Sequence, residues 1–436
     1  MTELSEAFKA RLKDDLWHRL RPMGGNDPVQ QHRAATPLEL LYDLVYVVAF
    51  GAAAGQLAHF IAEGAAGPAF GAYLFAIFGV SWAWMNFTWF SSAYGNDDAL
   101  FRIATIVQMV GAVIFVFGLP VSFEAAVHGE SPNNALLVIG YIVMRVPLIV
   151  LWLRAAREDP GHRATALAYA VTIAVAQFGW LLTIVLPLSA FVTVLCIIAL
   201  AVAEMVAPVV ISVRLGRAPW HPGHIAERFA LLTLIALGEV VASTTVAVGA
   251  LVEHESWSLG AVSIAVAGVV LVASLWWAYF LIPSRTLLER WPARIWAWRY
   301  AHLPMFGAIA AVGAGLHVAA YAMEGDHHIA PIVVALALAI PVAAVILMVY
   351  ATWSLLVRRF NWSHIPMLLL CLLPLGAAVV VAALAPEGGG PAVLSVVIGL
   401  VALSAIVEVV IHERVGYRHT VAALERGNVS QRSAVE

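Results

Sequence analysis

Twelve blocks of apolar residues constrain this chain more than any other feature of its sequence. Each block reaches about 20 residues, enough for an α-helix to cross a hydrocarbon core of about 30 Å. The sequence shows no alternating pattern typical of an outer-membrane barrel. Hydrophobic residues form 62% of the 436 residues and charged residues 12%, far from the averages of soluble domains. The chain is therefore predicted to be a multi-pass membrane protein, which excludes a soluble enzyme.

The apolar blocks predict an all-α integral membrane protein with about 12 transmembrane helices. Glycines, prolines and charged residues between the blocks set the boundaries of these helices. The predicted spans cover 38–59, 68–92, 100–122, 134–154, 164–187, 190–213, 228–251, 258–282, 296–320, 329–356, 364–384 and 391–412.

The distribution of Lys and Arg predicts the orientation of these helices. The loops that follow odd-numbered spans contain no Lys or Arg, whereas basic residues occur in the N-terminal segment, in the connections after spans four, six, eight and ten, and in the C-terminal tail. Because cytoplasmic loops carry the excess of positive charge, both termini are predicted to be cytoplasmic. The net charge of -3 gives no indication of nucleic-acid binding. Neither Cys196 nor Cys371 has a partner nearby in sequence, so we expect no structural disulfide and no thiolate metal site. No metal and no cofactor are assigned.

The N-terminal segment 1–37 contains a possible interfacial helix. Its apolar residues recur every four positions, and basic residues fill much of the remainder; the apolar positions are Phe8, Leu12, Leu16 and Leu20. Such a segment suits the anionic inner leaflet. A solvated helix on the cytoplasmic loops explains the pattern equally well.

Three short matches between the two halves of the chain predict an internal repeat. They pair Trp82–Trp84 with Trp276–Trp277, Met109–Gly111 with Met305–Gly307, and Val209–Arg214 with Val409–Arg414. Six helices per half insert both halves the same way up, which gives a parallel repeat about an axis along the membrane normal.

The predicted organisation places the first six-helix repeat at 38–213 and the second at 228–413. A cytoplasmic linker, 214–227, joins them, and a cytoplasmic tail, 414–436, follows. The Trp clusters, such as Trp82 with Trp84, are typical of interfacial belts or packing rather than of ligand sites.

Three motifs resemble the bacterial low temperature requirement A (LtrA) family. They are Thr36–Val47 (TPLELLYDLVYV), His224–Leu231 (HIAERFAL) followed by Leu237–Glu239 (LGE), and Tyr300–Met305 (YAHLPM). Two positions depart mildly from the family pattern, which has an aromatic pair where this chain has Leu41–Tyr42 and Phe-Gly where it has Phe229–Ala230. The family is named for a growth phenotype, so the resemblance implies a multi-pass membrane protein and leaves its reaction open.

Ionisable residues within the spans are the candidate functional residues, because each costs about 2.5–3.5 kcal/mol near the bilayer centre. The candidates for transport or binding are Asp43, Arg145, Glu204, Glu227, Arg228, Glu239 and His302, with Glu39 and Glu408 as secondary candidates. No catalytic residue is assigned.

Two carboxylates on the first span have different predicted roles. Thr36 and Glu39 have the spacing of a capping box, so Glu39 is predicted to cap the helix. Asp43 lies one turn deeper, where no cap needs it, and is predicted to line a polar cavity or bind a cation.

Glu239 is the strongest single candidate for a proton or cation site, because it lies three turns into span seven, close to the midplane. Arg145, near the middle of span four, is interpreted as a counter-ion to Glu239, Glu204 or Asp43, or as a direct ligand of an anionic substrate. We expect these four residues to form one polar network.

The remaining candidates have alternative roles. Glu227 and Arg228 are adjacent and cannot face each other on a helix, so each is expected to pair with another helix or loop. His302 is interpreted as a proton relay or as a hydrogen-bonded residue at a helix end. Glu408 is interpreted as mostly interfacial.

The leading functional hypothesis is a secondary transporter or ion pathway in the bacterial cytoplasmic (inner) membrane, with intramembrane carboxylates and one Arg. Its partners would be membrane lipids and an unidentified ion or small-molecule substrate, with a homo-oligomer as a further possibility. A passive channel is a close relative of this hypothesis. The alternatives are a sensing or structural membrane protein, and an intramembrane lipid-modifying enzyme using His302 with a carboxylate. No Ser, Cys or metal constellation at catalytic spacing supports the enzyme.

Overall fold

The computed structural model describes residue 5 and residues 20–27, 33–130, 132–255, 257–324, 328–357, 362–386 and 390–432. The predicted interfacial helix at 8–20 therefore lies outside the described residues, apart from its last residue. Within the described ranges the ordered secondary structure is helical.

Twelve helices of the described chain are long and apolar enough to span a membrane, which confirms the predicted number. They are α1 (Pro37–Ala62), α2 (Ala66–Tyr94), α3 (Ala99–Val127), α4 (Ala135–Glu158), α5 (Arg163–Val185), α6 (Ala190–Arg214), α7 (Pro222–Glu255), α8 (Leu259–Phe280), α9 (Ile295–Glu324), α10 (Pro331–Val357), α11 (His364–Leu384) and α12 (Gly390–Ile411).

Helix α7 begins at Pro222 rather than at the predicted residue 228. Proline is favoured in the first turn of a helix because its fixed φ suits the helix and its missing N–H would have no partner there. The ring nitrogen Nδ1 of His221 accepts a hydrogen bond from the amide of His224 at 3.0 Å, as a capping side chain does. Histidine is not a typical N-cap, so the sequence pattern did not mark this boundary.

Shorter helical segments connect or follow the long helices. The helix Ser284–Arg290 lies between α8 and α9, and a π-helical turn, His412–Gly416, continues α12 into a further helix, Tyr417–Arg432. The segment predicted as a C-terminal tail is thus helical through residue 432.

The chain divides into two compact units. The first comprises Met1–Tyr46, Trp82–Gly118 and Ser131–Ile225, and the second comprises Val47–Ser81, Leu119–Glu130 and Ala226–Glu436. The boundaries fall inside α1, α2, α3 and α7, so each of these helices contributes to both units. The predicted parallel repeat of two six-helix halves stays a prediction, as does the cytoplasmic placement of the termini.

In the first unit, α3 and α4 approach each other through glycine. A Cβ at Gly111 would lie 2.6 Å from the amide nitrogen of Met144, and a Cβ at Gly140 would lie 2.5 Å from that of Phe115. Helices in a membrane associate through close packing rather than through the hydrophobic effect, so small residues at the contact strengthen it. This contact fixes the position of α4, which carries Arg145.

In the second unit, α9 is the most buried of the long helices, with 83% of its apolar 18-residue segment buried. Its sequence between Gly307 and Gly315 consists mostly of Gly and Ala, and it packs against α8 and α10. Helix α12 packs against α8 and α11.

Candidate functional site

The carboxylate of Glu204 on α6 is the centre of a buried polar cluster in the first unit. Four side chains donate hydrogen bonds to it: Trp82 Nε1 at 2.9 Å, Tyr141 Oη at 2.9 Å, Arg145 Nη2 at 2.8 Å and Trp180 Nε1 at 2.7 Å. Glu204 is only 3% exposed. Helices α2, α5 and α6 each contribute one of these residues, and α4 contributes both Tyr141 and Arg145. We refer to the five side chains as the Glu204 cluster.

Arg145 forms the cationic side of the Glu204 cluster. Its guanidinium carbon lies 5.6 Å from the centre of the Tyr141 ring, within the range of a cation–π contact. Its Nη2 bonds to Glu204, but its Nε and Nη1 are buried without a hydrogen-bond partner among the described residues. Of the three counter-ions considered for Arg145, the structure thus places Glu204 in contact with it, and two guanidinium nitrogens remain for a further acceptor.

Asp43 is fully buried on α1 and accepts a hydrogen bond from Trp84 Nε1 at 2.6 Å. One residue earlier, the hydroxyl of Tyr42 lies 2.8 Å from that of Tyr46. The hydroxyl of Tyr46 in turn lies 2.9 Å from Met144 Sδ, on the helix that carries Arg145. Asp43 therefore lies in the same unit as the Glu204 cluster, and the prediction that it shares one network with Arg145 stays a prediction.

Glu39 performs the predicted capping role at the start of α1. The amide of Thr36 donates to Glu39 Oε2 at 2.8 Å, and the amide of Glu39 is 3.3 Å from Thr36 Oγ1. Both distances are those of a capping box. The sequence did not predict the additional partner, His224, whose Nε2 lies 3.3 Å from both carboxylate oxygens of Glu39.

Glu239 on α7 lies in the second unit and is partly buried. Its carboxylate contacts Gly51 of α1 so closely that any Cβ at position 51 would collide with it. No hydrogen bond to the Glu239 side chain is found within the described part of the chain. One turn further along α7, the carbonyl of Ser243 lies 3.1 Å from Nε2 of His317 on α9. This places a histidine of α9 beside the same stretch of α7.

The other predicted residues of the second unit are largely buried. Arg228 is fully buried and Glu227 is partly buried, both in the first turns of α7. His302 is fully buried, with Nε2 3.0 Å from the hydroxyl of Tyr279 and Nδ1 2.8 Å from the carbonyl of Trp298. Both ring nitrogens thus have partners, which is the hydrogen-bonded alternative considered for this residue.

Glu408 is fully buried in the protein, and its interpretation as mostly interfacial stays a prediction. Its Oε1 lies 2.6 Å from His412 Nδ1, and its Oε2 accepts from Cys371 Sγ at 3.1 Å. The π-helical turn at His412–Gly416 follows directly, and α11 supplies the cysteine. Tertiary packing, rather than the position of Glu408 near a helix end, decides its burial.

Asp98 lies in the connection between α2 and α3, directly before the first residue of α3. Its Oδ1 accepts from the amide of Phe101 at 2.9 Å, as expected for an N-cap, and its Oδ2 accepts from Arg154 Nη2 at 2.7 Å. Burial by itself would raise the pKa of the Asp98 carboxyl, but the hydrogen bonds from Arg154 and from the amides of Phe101 and Arg21 outweigh it. The pKa of Asp98 is therefore held below its ordinary value.

The sequence did not predict which side chains donate hydrogen bonds to Glu204 and Asp43. Trp82 and Trp84 are fully buried hydrogen-bond donors rather than members of an interfacial belt. A buried indole needs an acceptor for its N–H, and buried carboxylates on α1 and α6 provide one. Within the described residues, no group of three or more His, Cys, Asp or Glu side chains could hold a metal ion.

The fold defines a helical multi-pass membrane protein, and comparison with known proteins identifies its family. The family model described as bacterial low temperature requirement A protein (LtrA) matches residues 34–403. The chain therefore belongs to the LtrA family, as the three sequence motifs predicted.

A relative of the chain is an uncharacterized protein from Rhizobium meliloti (strain 1021), to which it is 24% identical over 320 residues. The aligned region covers 69% of this chain and 72% of the relative. No solved structure matches the chain.

Proposed function

We propose that this protein is a secondary transporter or ion pathway of the bacterial cytoplasmic membrane, and that the Arg145–Glu204 pair couples ion and proton movement. The observation that carries this proposal is the incomplete hydrogen bonding of a buried arginine. The side chains of Arg145 and Glu204 are both 2% exposed, yet Nε and Nη1 of the guanidinium lack a hydrogen-bond partner among the described residues.

A charge pair with a purely structural role would be expected to satisfy its donors. Each buried donor left without an acceptor costs about 1–3 kcal/mol. Desolvating a buried charge costs several kcal/mol more, which the single contact to Glu204 must offset. An anionic group of a substrate would supply the missing acceptors, so we infer that the transported species carries or accompanies a negative charge.

The Glu204 cluster also suggests how transport would be coupled to protons. While Glu204 is ionised, it holds Arg145 through the 2.8 Å contact to Nη2. Protonation of Glu204 would remove the charge that faces the guanidinium, and Arg145 would then favour a substrate anion. Proton binding and anion binding thus favour the same state, which is the requirement for coupling. Glu239, in the second unit, is proposed as a second proton or cation site.

The test is flux in proteoliposomes that contain the full chain and the pH-sensitive dye pyranine. Gradients of chloride, phosphate, acetate, potassium and sodium are imposed in turn, and proton movement is recorded. The variants are Arg145→Gln, Glu204→Gln and the double variant. The control is the surface pair Arg102–Asp97, whose 2.8 Å contact is about one third exposed on each side.

The double variant separates coupling from structure. If the pair couples transport, the double variant regains folding, because no buried charge is stranded, but does not regain pH-dependent flux. Arg102→Gln should transport normally. Glu239→Gln should fold normally and change the pH dependence of flux. If the double variant transported with the parent pH dependence, or the parent moved none of these ions, the proposal would fail and a sensing or structural role would replace it.

A further inference from the structure

A large apolar cavity lies within the second unit, separate from every charged residue discussed above. It has a volume of about 630 Å³ and is bounded by α1, α2, α9 and α10. Ligand pockets typically have volumes of about 300–1,000 Å³. The cavity is therefore large enough to hold a ligand, and it is larger than a packing defect would be.

The lining of the cavity is incompatible with water or an ion. Tyr73 is the single polar side chain among the described residues that line it. The Tyr73 hydroxyl donates to the carbonyl of Gly307 at 2.6 Å, so its proton is not available to a ligand. A buried water needs about two to four polar partners. Neither water nor a transported ion would find them here, so the occupant must be apolar.

The rim of the cavity opens where apolar side chains are exposed within membrane spans. Phe70 and Leu74 on α2 are 48% and 53% exposed, and Ile340 on α10 is 59% exposed. Both helices are long and apolar enough to cross a membrane. The medium that faces such side chains is hydrocarbon, so the molecules with direct access to the cavity are those of the bilayer.

We propose that this cavity is a binding site for one acyl chain of a membrane phospholipid. The chain would enter between α2 and α10 and lie against the small residues of α9, such as Ala308 and Ala311. Their side chains leave the space that a chain requires. This site is independent of the proposed transport activity and of the Glu204 cluster.

The test uses photo-crosslinking of the full chain in nanodiscs of phosphatidylglycerol and phosphatidylethanolamine. A phosphatidylethanolamine with a diazirine on its acyl chain is the probe, and peptide mass spectrometry locates the crosslinks. Two variants fill the cavity, Gly67→Leu and Ala311→Leu. Gly71→Leu is the matched control, because a Cβ at either Gly67 or Gly71 meets open space, but Gly71 does not line the cavity.

The parent protein should give crosslinks to Ala308 and Ala311, which exposed surface lipid does not reach easily. Each filling variant that retains the parent unfolding temperature should reduce these crosslinks about tenfold, equivalent to about 1.4 kcal/mol of binding free energy. Gly71→Leu should leave them unchanged. Crosslinks confined to outward residues, equal yields in a folded filling variant, or co-purification of a non-phospholipid apolar molecule in the cavity would overturn the proposal. Flux measurements are not involved, so the two proposals can fail separately.

Discussion

Glu204 and Glu239 are both carboxylates within membrane spans, one in each compact unit, but their surroundings differ completely. Glu204 accepts hydrogen bonds from four side chains, one of them an arginine. Glu239 is partly buried and lies against the glycine backbone at position 51, with no hydrogen bond to its side chain found in the described residues.

The difference shows two ways in which a membrane helix accommodates an acidic residue. The buried carboxylate of Glu204 is matched by a charge and by several donors, because leaving it unpaired would cost several kcal/mol. A partly exposed carboxylate needs only space, which glycine provides. Glu204 is therefore predicted to contribute to stability, whereas Glu239 is predicted to be nearly neutral for stability.

The largest effect is expected for Arg145→Ala. This change leaves Glu204 buried without its counter-charge, so the free energy of unfolding should fall by about 3–5 kcal/mol. Unfolding by SDS titration in mixed micelles measures the loss. Arg102→Ala removes an exposed ion pair of the same length and should cost about 0–1 kcal/mol. Equal losses of stability in Arg145→Ala and Arg102→Ala would show that the buried ion pair stabilises the fold no more than the exposed one.

Matched neutral variants test the comparison directly. Glu204→Gln keeps the shape of the side chain but leaves Arg145 without a negative partner, and should lower the free energy of unfolding by about 2–3 kcal/mol. Glu239→Gln strands no arginine that the structure pairs with it and should change stability by less than about 0.5 kcal/mol. The same SDS titration compares both. If Glu239→Gln lost more stability than Glu204→Gln, Glu239 rather than Glu204 would be the carboxylate that stabilises the fold.

Gly51→Val tests the contact between α1 and the Glu239 carboxylate. The added side chain would displace the carboxylate, which lies at the end of a flexible side chain and can shift, so we expect a loss of about 0.5–1.5 kcal/mol, the cost of a strained rotamer. In the double variant Gly51→Val with Glu239→Ala, the shorter side chain at position 239 leaves room for the valine, so most of the lost stability should be recovered. Gly55→Val is the control, because a Cβ at Gly55 meets no atom within 4 Å. An additive double variant would mean that the two residues do not interact.

The effect of replacing Asp98 depends on pH. Its pKa is lower in the folded state than in the unfolded chain, so its stabilising contribution is complete above the unfolded value and is lost as the pH falls through the folded value. Asp98→Asn should lower stability by about 1–2 kcal/mol at pH 7 and reduce the dependence of stability on pH below about pH 4. Thermal unfolding at pH 3 to 7 measures this, with Asp97→Asn as the neighbouring control. An unchanged pH profile in Asp98→Asn would contradict the explanation.

Several local features could be predicted from the sequence because each depends on residues close together in the chain. The twelve spans follow from apolar length, and most predicted boundaries lie within a few residues of the observed ones. The capping box of Thr36 and Glu39 follows from a three-residue spacing that any helix start would use. The boundary at Pro222 was missed because a histidine side chain provides the cap.

The partner of Arg145 shows what the sequence alone could not decide. The sequence allowed Glu239, Glu204 or Asp43 as its counter-ion, since all three lie within spans and none is near Arg145 in the chain. Tertiary packing brought α4 and α6 together, and with them Tyr141, Trp82 and Trp180, into contact with Glu204. Periodicity determines which residues share a face of one helix, but the pairing of faces depends on how small residues let helices approach. The amino-acid sequence therefore determined that buried charges exist in this protein, and only the tertiary structure decided which of them meet.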